Sequence, residues 1–341
     1  MKIGLLTGGG DCPGLNAVIR AVVKKSEKQG DVVFGIKNGW AGLISGVMEP
    51  LTNFSVIGLL PRGGTVLGTS RTNPFKSQDS INKCFANWKR FGLDALIAIG
   101  GEDTLGVAKR FADQGYAVVG VPKTIDNDLV GTDQTFGFDT AVNIVMEAID
   151  RLHSTAESHH RVMVVEVMGR DSGWIAAVAG IAGGADYIIV PEEPYDLNEV
   201  CEALSRRRAA GREFSILVIA EGAKPRGGGA VTQDGSVDEF GHVRLGGIGN
   251  LLARDIEKKT GLETRVTILG HVQRGGTPTA FDRVLATRYG LAAVDLVKHK
   301  KWGRMVALDG FKIVDVPLPE VEQDKRKLDM ALYKDAQVFF G

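Results

Sequence analysis

The chain has 341 residues, 44% hydrophobic and 24% charged, which is enough apolar content for a large core and excludes disorder as its main state. Its 41 basic and 41 acidic side chains cancel, so bulk charge points neither to nucleic acid nor to an anionic membrane surface, and at about 100–200 residues per domain the length suits two lobes. Three dispersed cysteines, Cys12, Cys84 and Cys201, form no disulfide framework or metal cluster and fit a reduced, cytoplasmic setting.

KIGLLTGGGD reads as a short buried strand ending in a glycine turn, and its four-residue apolar run predicts no cleaved leader. No stretch of 18 uninterrupted apolar residues suits a membrane span. Asn16 to Lys28 carries apolar residues at helical spacing, and VVFGIKNG and FSVIGL read as strands. ALIAIGGED at 95–103 repeats the order of apolar strand, glycines and acids ahead of a helix holding Leu105 to Phe111. AVVGVPKTIDND has strand character up to Val121, with Pro122 ending it.

Thr140 to His153 has a helical apolar pattern, and a second α/β lobe is expected to begin near residue 139. RVMVVEVMGRDSG, ADYIIVPEEP and FSILVIAEGA are its strands, and KPRGGGAVTQDGSVDEFG reads as an exposed loop. LLARDIEKKTG is a helix stopped by Gly261, and ETRVTILGHVQRGG a strand opening into a basic glycine turn. Strand spacings of about 20–30 residues predict βαβ units and mainly parallel sheets.

The chemistry gathers where strands end. Gly8, Gly9 and Gly10, between strand and helix, would let backbone N–H groups approach an anion, although the spacing is neither GxGxxG nor a Walker loop and a plain turn is the alternative. Glu102 and Asp103 could hold Mg²⁺ and organise phosphate oxygens, or serve with Thr104 in helix capping. In PKTIDND, Lys123 could neutralise a transferring phosphoryl group and Asp126 accept a proton from an alcohol, with Asp128 as orienter; an ordinary surface turn is the competing reading. Arg170, Arg265 and Arg274 suit phosphate, His271 a hydroxyl or phosphate, and Glu221 sugar hydroxyls. Lys24, Lys25, Arg206, Arg207, Arg208 and Arg212 suit a solvated helix face, with a second anion site between subunits as the sharper reading.

LLTGGGDCPGLNAVIR, GGEDT, PKTIDND, RVMVVEVMGR, AEGA and ETRVTILGHVQRGG together make the chain resemble the phosphofructokinase family, and within it the actinobacterial-type branch that uses diphosphate. The resemblance implies two similar Rossmann-like lobes with interleaved chain segments: a donor lobe of 1–138 plus about 253–305, and a sugar-phosphate lobe of 139–252 plus about 306–341. It also implies that Gly10, Arg71, Asp103 and Lys123 meet the donor, that Glu102 coordinates Mg²⁺ in place of a more usual aspartate, and that Asp126 is the proton acceptor, aided by Lys123 and Arg170. Fructose 6-phosphate would be bound by Thr124, Ile125, Asp126, Met168, Gly169, Arg170, Glu221, His271, Val272, Gln273 and Arg274. Arg161 and Arg265 would arrive from a neighbouring subunit of a homo-oligomer, dimer or tetramer. Asp103 and Lys123 stand where relatives using ATP typically have glycines, which implies diphosphate as donor, with ATP the alternative. A sugar-phosphate sensor without turnover and a nicotinamide dehydrogenase are the remaining readings; the first leaves the reaction-centred set unexplained, and the second lacks its glycine fingerprint.

Overall fold

The N-terminal apolar segment forms β1 (Lys2–Thr7), and the glycine turn after it delivers the chain into α1 (Leu15–Lys28). The computed structural model describes residues 1–229, 232–237, 243–319 and 325–341; of 232–237, 243 and 244 only the backbone is described. The first part continues through β2 (Val32–Ile36), α2 (Trp40–Ser45), β3 (Met48–Leu51), α3 (Gln78–Phe91), β4 (Ala95–Gly100), α4 (Glu102–Asp113), β5 (Val118–Thr124) and the short β6 (Phe136–Gly137). The next part comprises α5 (Phe138–His159), β7 (Val162–Val167), α6 (Trp174–Ala182), β8 (Tyr187–Ile189), α7 (Leu197–Ala209) and β9 (Ser215–Ala220). After these come β10 (Thr232–Val237), β11 (Val243–Leu245), α8 (Ile248–Thr260), β12 (Thr264–Ile268), α9 (Ala280–Lys298), β13 (Arg304–Asp309), β14 (Lys312–Pro317) and α10 (Met330–Gln337).

Two parallel-cored sheets carry the molecule. The first has eight strands in the order β14-β13-β5-β4-β1-β2-β3, with β6 paired to the end of β5; only its edge pairs, β13–β14 and β2–β3, are antiparallel. The second, β12-β7-β9-β8, is wholly parallel. Strands covered on both faces need apolar residues throughout, and alternate side chains enter different cores. In β4, Ile97 and Ile99 join one cluster while Leu96 and Ala98 join another, and β9 divides Ile216 and Val218 from Leu217 and Ile219 in the same way.

Four expectations need correction. FSVIGL is no strand but a short 3₁₀ turn over Phe54–Val56: Ser55 donates its N–H to the Thr52 carbonyl and its hydroxyl accepts from the Thr52 N–H, so local bonds replace a ladder. Pro122 does not end β5, which runs to Thr124; β13 pairs with β5 only at Val119 and Gly120, so no strand on that side needs the missing N–H. Within the expected loop over 224–241, residues 232–237 form a strand antiparallel to β11, while 230, 231 and 238–241 lie outside the described residues.

The fourth correction concerns the lobe boundaries near 253 and 305. β12, expected with the donor lobe, pairs with β7 in the second sheet, and β13–β14 joins the first sheet beside β5. The α9 helix lies on α1, where a Cβ at Gly290 would come within 2.8 Å of the Val18 carbonyl oxygen. Tyr333 of α10 donates its hydroxyl to the Ile188 carbonyl of β8 at 2.9 Å, returning the C-terminal helix to the second lobe. The chain therefore crosses between sheets after β12 and again after β14. Periodicity carries no record of which sheet accepts a strand's hydrogen bonds.

Candidate active site

The ends of three neighbouring parallel strands, β1, β4 and β5, place their following turns at one edge of the first sheet, where open α/β sheets bind ligands. Gly10 lies in the β1–α1 turn, where a Cβ would meet Arg274 Nη1 at 2.6 Å and would have to displace that guanidinium. Glu102 and Asp103 occupy the first turn of α4, where the helix dipole favours carboxylates. Beyond β5, Asn127 turns the chain with φ 52° and its Oδ1 accepts from the Thr135 N–H at 3.0 Å, setting Asp126 and Asp128 on either side of a fixed left-handed residue.

Gly10, Arg71, Glu102, Asp103, Lys123, Thr124, Asp126, Arg170 and Arg274 line one cavity of about 130 Å³. An adjoining cavity adds Asp11 and His271 to Arg71 and Arg274. Lys123 is buried and donates to the Gly10 carbonyl, and burial lowers its ammonium pKa. Asp126 receives no side-chain partner at Oδ1, although that oxygen is buried. Its backbone N–H is held by Thr124 Oγ1 at 3.0 Å, fixing the turn from which the carboxylate projects. Burial, then the neighbouring charge of Asp126, pushes Asp128 and Glu221 each up to about 7.

The remaining expected residues divide by position. The Met168 N–H donates to Gln273 Oε1 at 3.2 Å, while Gln273 Nε2 donates to the Gly270 carbonyl; Gln273 is buried and tied to backbone. Gly169 takes φ 136°, and a Cβ there would meet the Ser172 carbonyl oxygen at 2.6 Å. Ile125 is wholly buried in the core, which leaves only its backbone for a ligand, whereas Val272 is exposed. Arg161 and Arg265 do not line the cavity of their own chain. Both pair with Glu263, at 2.7 and 2.5 Å, and together hold its carboxyl below the usual range.

Lys325 escaped the sequence reading. It enters the same cavity from the segment before α10 and faces Asp171 at 2.7 Å, Glu102 at 3.6 Å and Asp128 at 3.9 Å. Its only sequence signal is a basic run, which is ordinarily a solvated surface. The runs that were singled out behave differently: Lys25 pairs with Asp295, and Arg207 pairs with Asp186 at 2.6 Å inside a separate cavity that also takes in Arg212, Glu157 and Glu213.

A two-lobed α/β protein with carboxylates, a buried lysine and converging arginines at its strand ends has the means to handle phosphoryl groups. The phosphofructokinase family model matches residues 2–297, and the chain belongs to that family. It is 59% identical, over the whole of both chains, to a Streptomyces coelicolor protein named pyrophosphate--fructose 6-phosphate 1-phosphotransferase. It is 50% identical, over all of this chain and 99% of the other, to a Corynebacterium efficiens protein named ATP-dependent 6-phosphofructokinase. Among solved structures it resembles phosphofructokinase from Saccharomyces cerevisiae, with TM-score 0.82 and 35% identity over 93% of this chain and 44% of that one.

Proposed function

We infer that the chain transfers a phosphoryl group reversibly between diphosphate and the C1 hydroxyl of fructose 6-phosphate, giving fructose 1,6-bisphosphate and orthophosphate. The observation that carries this reading is the unpartnered buried Oδ1 of Asp126 in the cavity that also holds Lys123, Asp103 and Glu102. A buried carboxylate oxygen lacks a donor at some cost, and a substrate hydroxyl would supply one. The name of the Streptomyces coelicolor relative supports diphosphate as donor, and that of the Corynebacterium efficiens relative keeps ATP as the second reading.

Mg²⁺ suits the residues present. Among the described residues no group of three or more His, Cys, Asp or Glu could hold a metal unaided. That accords with an ion commonly bound by one or two carboxylates together with substrate phosphates. Glu102 would hold it with the donor's oxygens, where it would draw negative charge from the phosphoryl group. Gly10, Arg71, Asp103 and Lys123 bound the donor, and Arg170 places a further cation beside the group in transfer. Asp126 takes the C1 hydroxyl proton as the new oxygen–phosphorus bond forms and the bridging oxygen–phosphorus bond of diphosphate breaks. Thr124, Arg170, Glu221, His271 and Arg274 hold the sugar phosphate, with Gly169, Met168 and Gln273 shaping the backbone around it.

Arg161 and Arg265 complete the sugar phosphate site from a neighbouring copy, which makes the working form a homo-oligomer. Three unpaired, buried cysteines suit the reducing interior of a cell, and no helix among the described residues is long and apolar enough to cross a membrane. The test is a donor comparison on purified protein with fructose 6-phosphate and Mg²⁺. A diphosphate catalytic efficiency well above that of ATP is expected; the reverse order would establish the second reading.

A further inference from the structure

The acids of the donor half present an electrostatic problem. Glu102, Asp103, Asp126 and Asp128 border a small cavity that, on the reading above, admits a multiply charged diphosphate. Arg71 and Arg170 also line the cavity, and of its other cations Lys123 donates to the Gly10 carbonyl and Arg274 to the Asp11 carbonyl at 3.4 Å. Lys325 is directed instead at acids, with Asp171, Glu102 and Asp128 all within 4 Å of its ammonium.

Its position is built by contacts on both sides of the cleft. The Arg326 N–H donates to the Asp128 carbonyl at 2.8 Å, and the Arg326 guanidinium donates to the Asp133 carbonyl at 2.7 Å. That guanidinium also lies over the Trp174 ring, 4.5 Å from its centroid, at the start of α6 in the second lobe. Two residues later the Leu328 N–H donates to Glu192 Oε1 at 2.9 Å, and the same carboxylate accepts from the Gly173 N–H. Residues 325–328 thus fasten to the turn after β5 and to the start of α6, and the fastening delivers one ammonium among three carboxylates.

We propose that Lys325 is a donor-side positioning residue: anchored by its hydrogen bond to Asp171, its ammonium offsets the charge of Glu102 and Asp128, so that the cavity accepts a metal-bound diphosphate. This rests on the phosphoryl-transfer reading and extends it to a residue outside the first lobe. Lys325 acts through the carboxylates that face the donor, whereas the expected fructose 6-phosphate residues depend on other cations. Its loss therefore weakens one substrate selectively. A staple that merely joined the lobes would affect both substrates together.

The experiment compares the parent with Lys325→Met and Lys325→Arg by steady-state kinetics for each substrate, thermal melting, and calorimetric titration of diphosphate with and without Mg²⁺. Lys325→Met is expected to raise the diphosphate KM and its Mg²⁺-dependent Kd by about tenfold, the scale of one charge-assisted contact, while the fructose 6-phosphate KM stays within about twofold. Lys325→Arg, which keeps the charge, is expected to recover most of the binding. Unchanged diphosphate KM and Kd in Lys325→Met, or parallel increases for both substrates, would overturn the proposal. A parent with no diphosphate turnover would overturn the donor reading instead, and the same titrations with ATP and Mg²⁺ would then test Lys325 on the donor the parent binds. Should Lys325→Met fail to fold, the charge-retaining variant carries the test: a tenfold loss of donor binding in folded Lys325→Arg would reject charge as the reason for the lysine.

Discussion

Lys123 at the end of β5 donates its ammonium hydrogen to the carbonyl oxygen of Gly10 in the β1–α1 turn. The bond joins two strand ends separated by β4 in the sheet and sets a buried cation against the glycine backbone. A Cβ on Gly10 would meet Arg274 Nη1 at 2.6 Å, so a side chain there would have to displace that guanidinium. Lysine and glycine therefore form one wall of the cavity that Asp103 also lines, the wall proposed to meet the donor.

That wall sets the donor prediction. Asp103→Gly is expected to improve use of ATP by removing bulk and charge, and adding Lys123→Gly is expected to suppress diphosphate turnover. The ratio of catalytic efficiencies, diphosphate over ATP, should fall by about 100-fold or more in the double variant, corresponding to the loss of two charged determinants. The two changes should be non-additive because they shape one site. Steady-state kinetics of the parent, both singles and the double at matched Mg²⁺ checks this, and an unchanged ratio would reject the assignment.

Asp126→Asn keeps the shape of the turn held by Thr124 but removes the carboxylate proposed as proton acceptor. Turnover should fall by about 10²–10⁴-fold, the usual scale of positioned acid–base catalysis. Calorimetry should find fructose 6-phosphate binding largely retained. Near-parental turnover at saturating diphosphate would remove Asp126 from the base role.

Within their own chain Arg161 and Arg265 pair with Glu263, and the proposal that they serve a neighbouring copy's site sets the oligomer prediction. Arg161→Ala and Arg265→Ala should each raise the fructose 6-phosphate KM by about tenfold, as expected for one lost charged contact. Mixing Asp126→Asn with Arg161→Ala under conditions of subunit exchange should restore activity, since one site of a hybrid then has its own Asp126 and an intact partner arginine. Proven hybrids without recovered activity would count against completion across an interface.

Asp282 offers a pH test outside the site. It is fully buried at the start of α9, accepts from the Thr140 N–H at 2.8 Å and from the Thr140 hydroxyl, and burial pushes its pKa up to about 6 from an ordinary 3.8. The folded state holds this proton more tightly than the unfolded state. The resulting stability is complete below about pH 3.8 and is lost as pH rises towards 6. Asp282→Asn should flatten that part of the stability profile by about 1–3 kcal/mol, read from denaturant unfolding between pH 4 and 7. An unchanged slope would show that Asp282 does not titrate in this window.

Much of the site was legible because its parts are local. GGG, GGED and PKTIDND are short runs in which residue type and position after an apolar strand already imply a turn at a sheet edge, and all three meet in one cavity. Lys325 was not legible: its basic run resembles any solvated surface, and its three acids come from positions far along the chain. Gln273 shows the opposite limit: only the family resemblance implies its sugar contact, and its side chain is bonded to the Met168 and Gly270 backbone.

The sequence by itself determined the alternation of apolar strands and amphipathic helices, the parallel sheets and the residues at strand ends, because periodicity and turn chemistry are short-range. Only the tertiary structure decided that β12 joins β7, that β13 joins β5, and that residues 325–328 fasten across the cleft. A strand's apolar pattern states how many of its faces are covered but not which neighbour accepts its hydrogen bonds. A lysine's charge likewise has no address until folding brings the acids around it, because both are settled by contacts between residues remote in the chain.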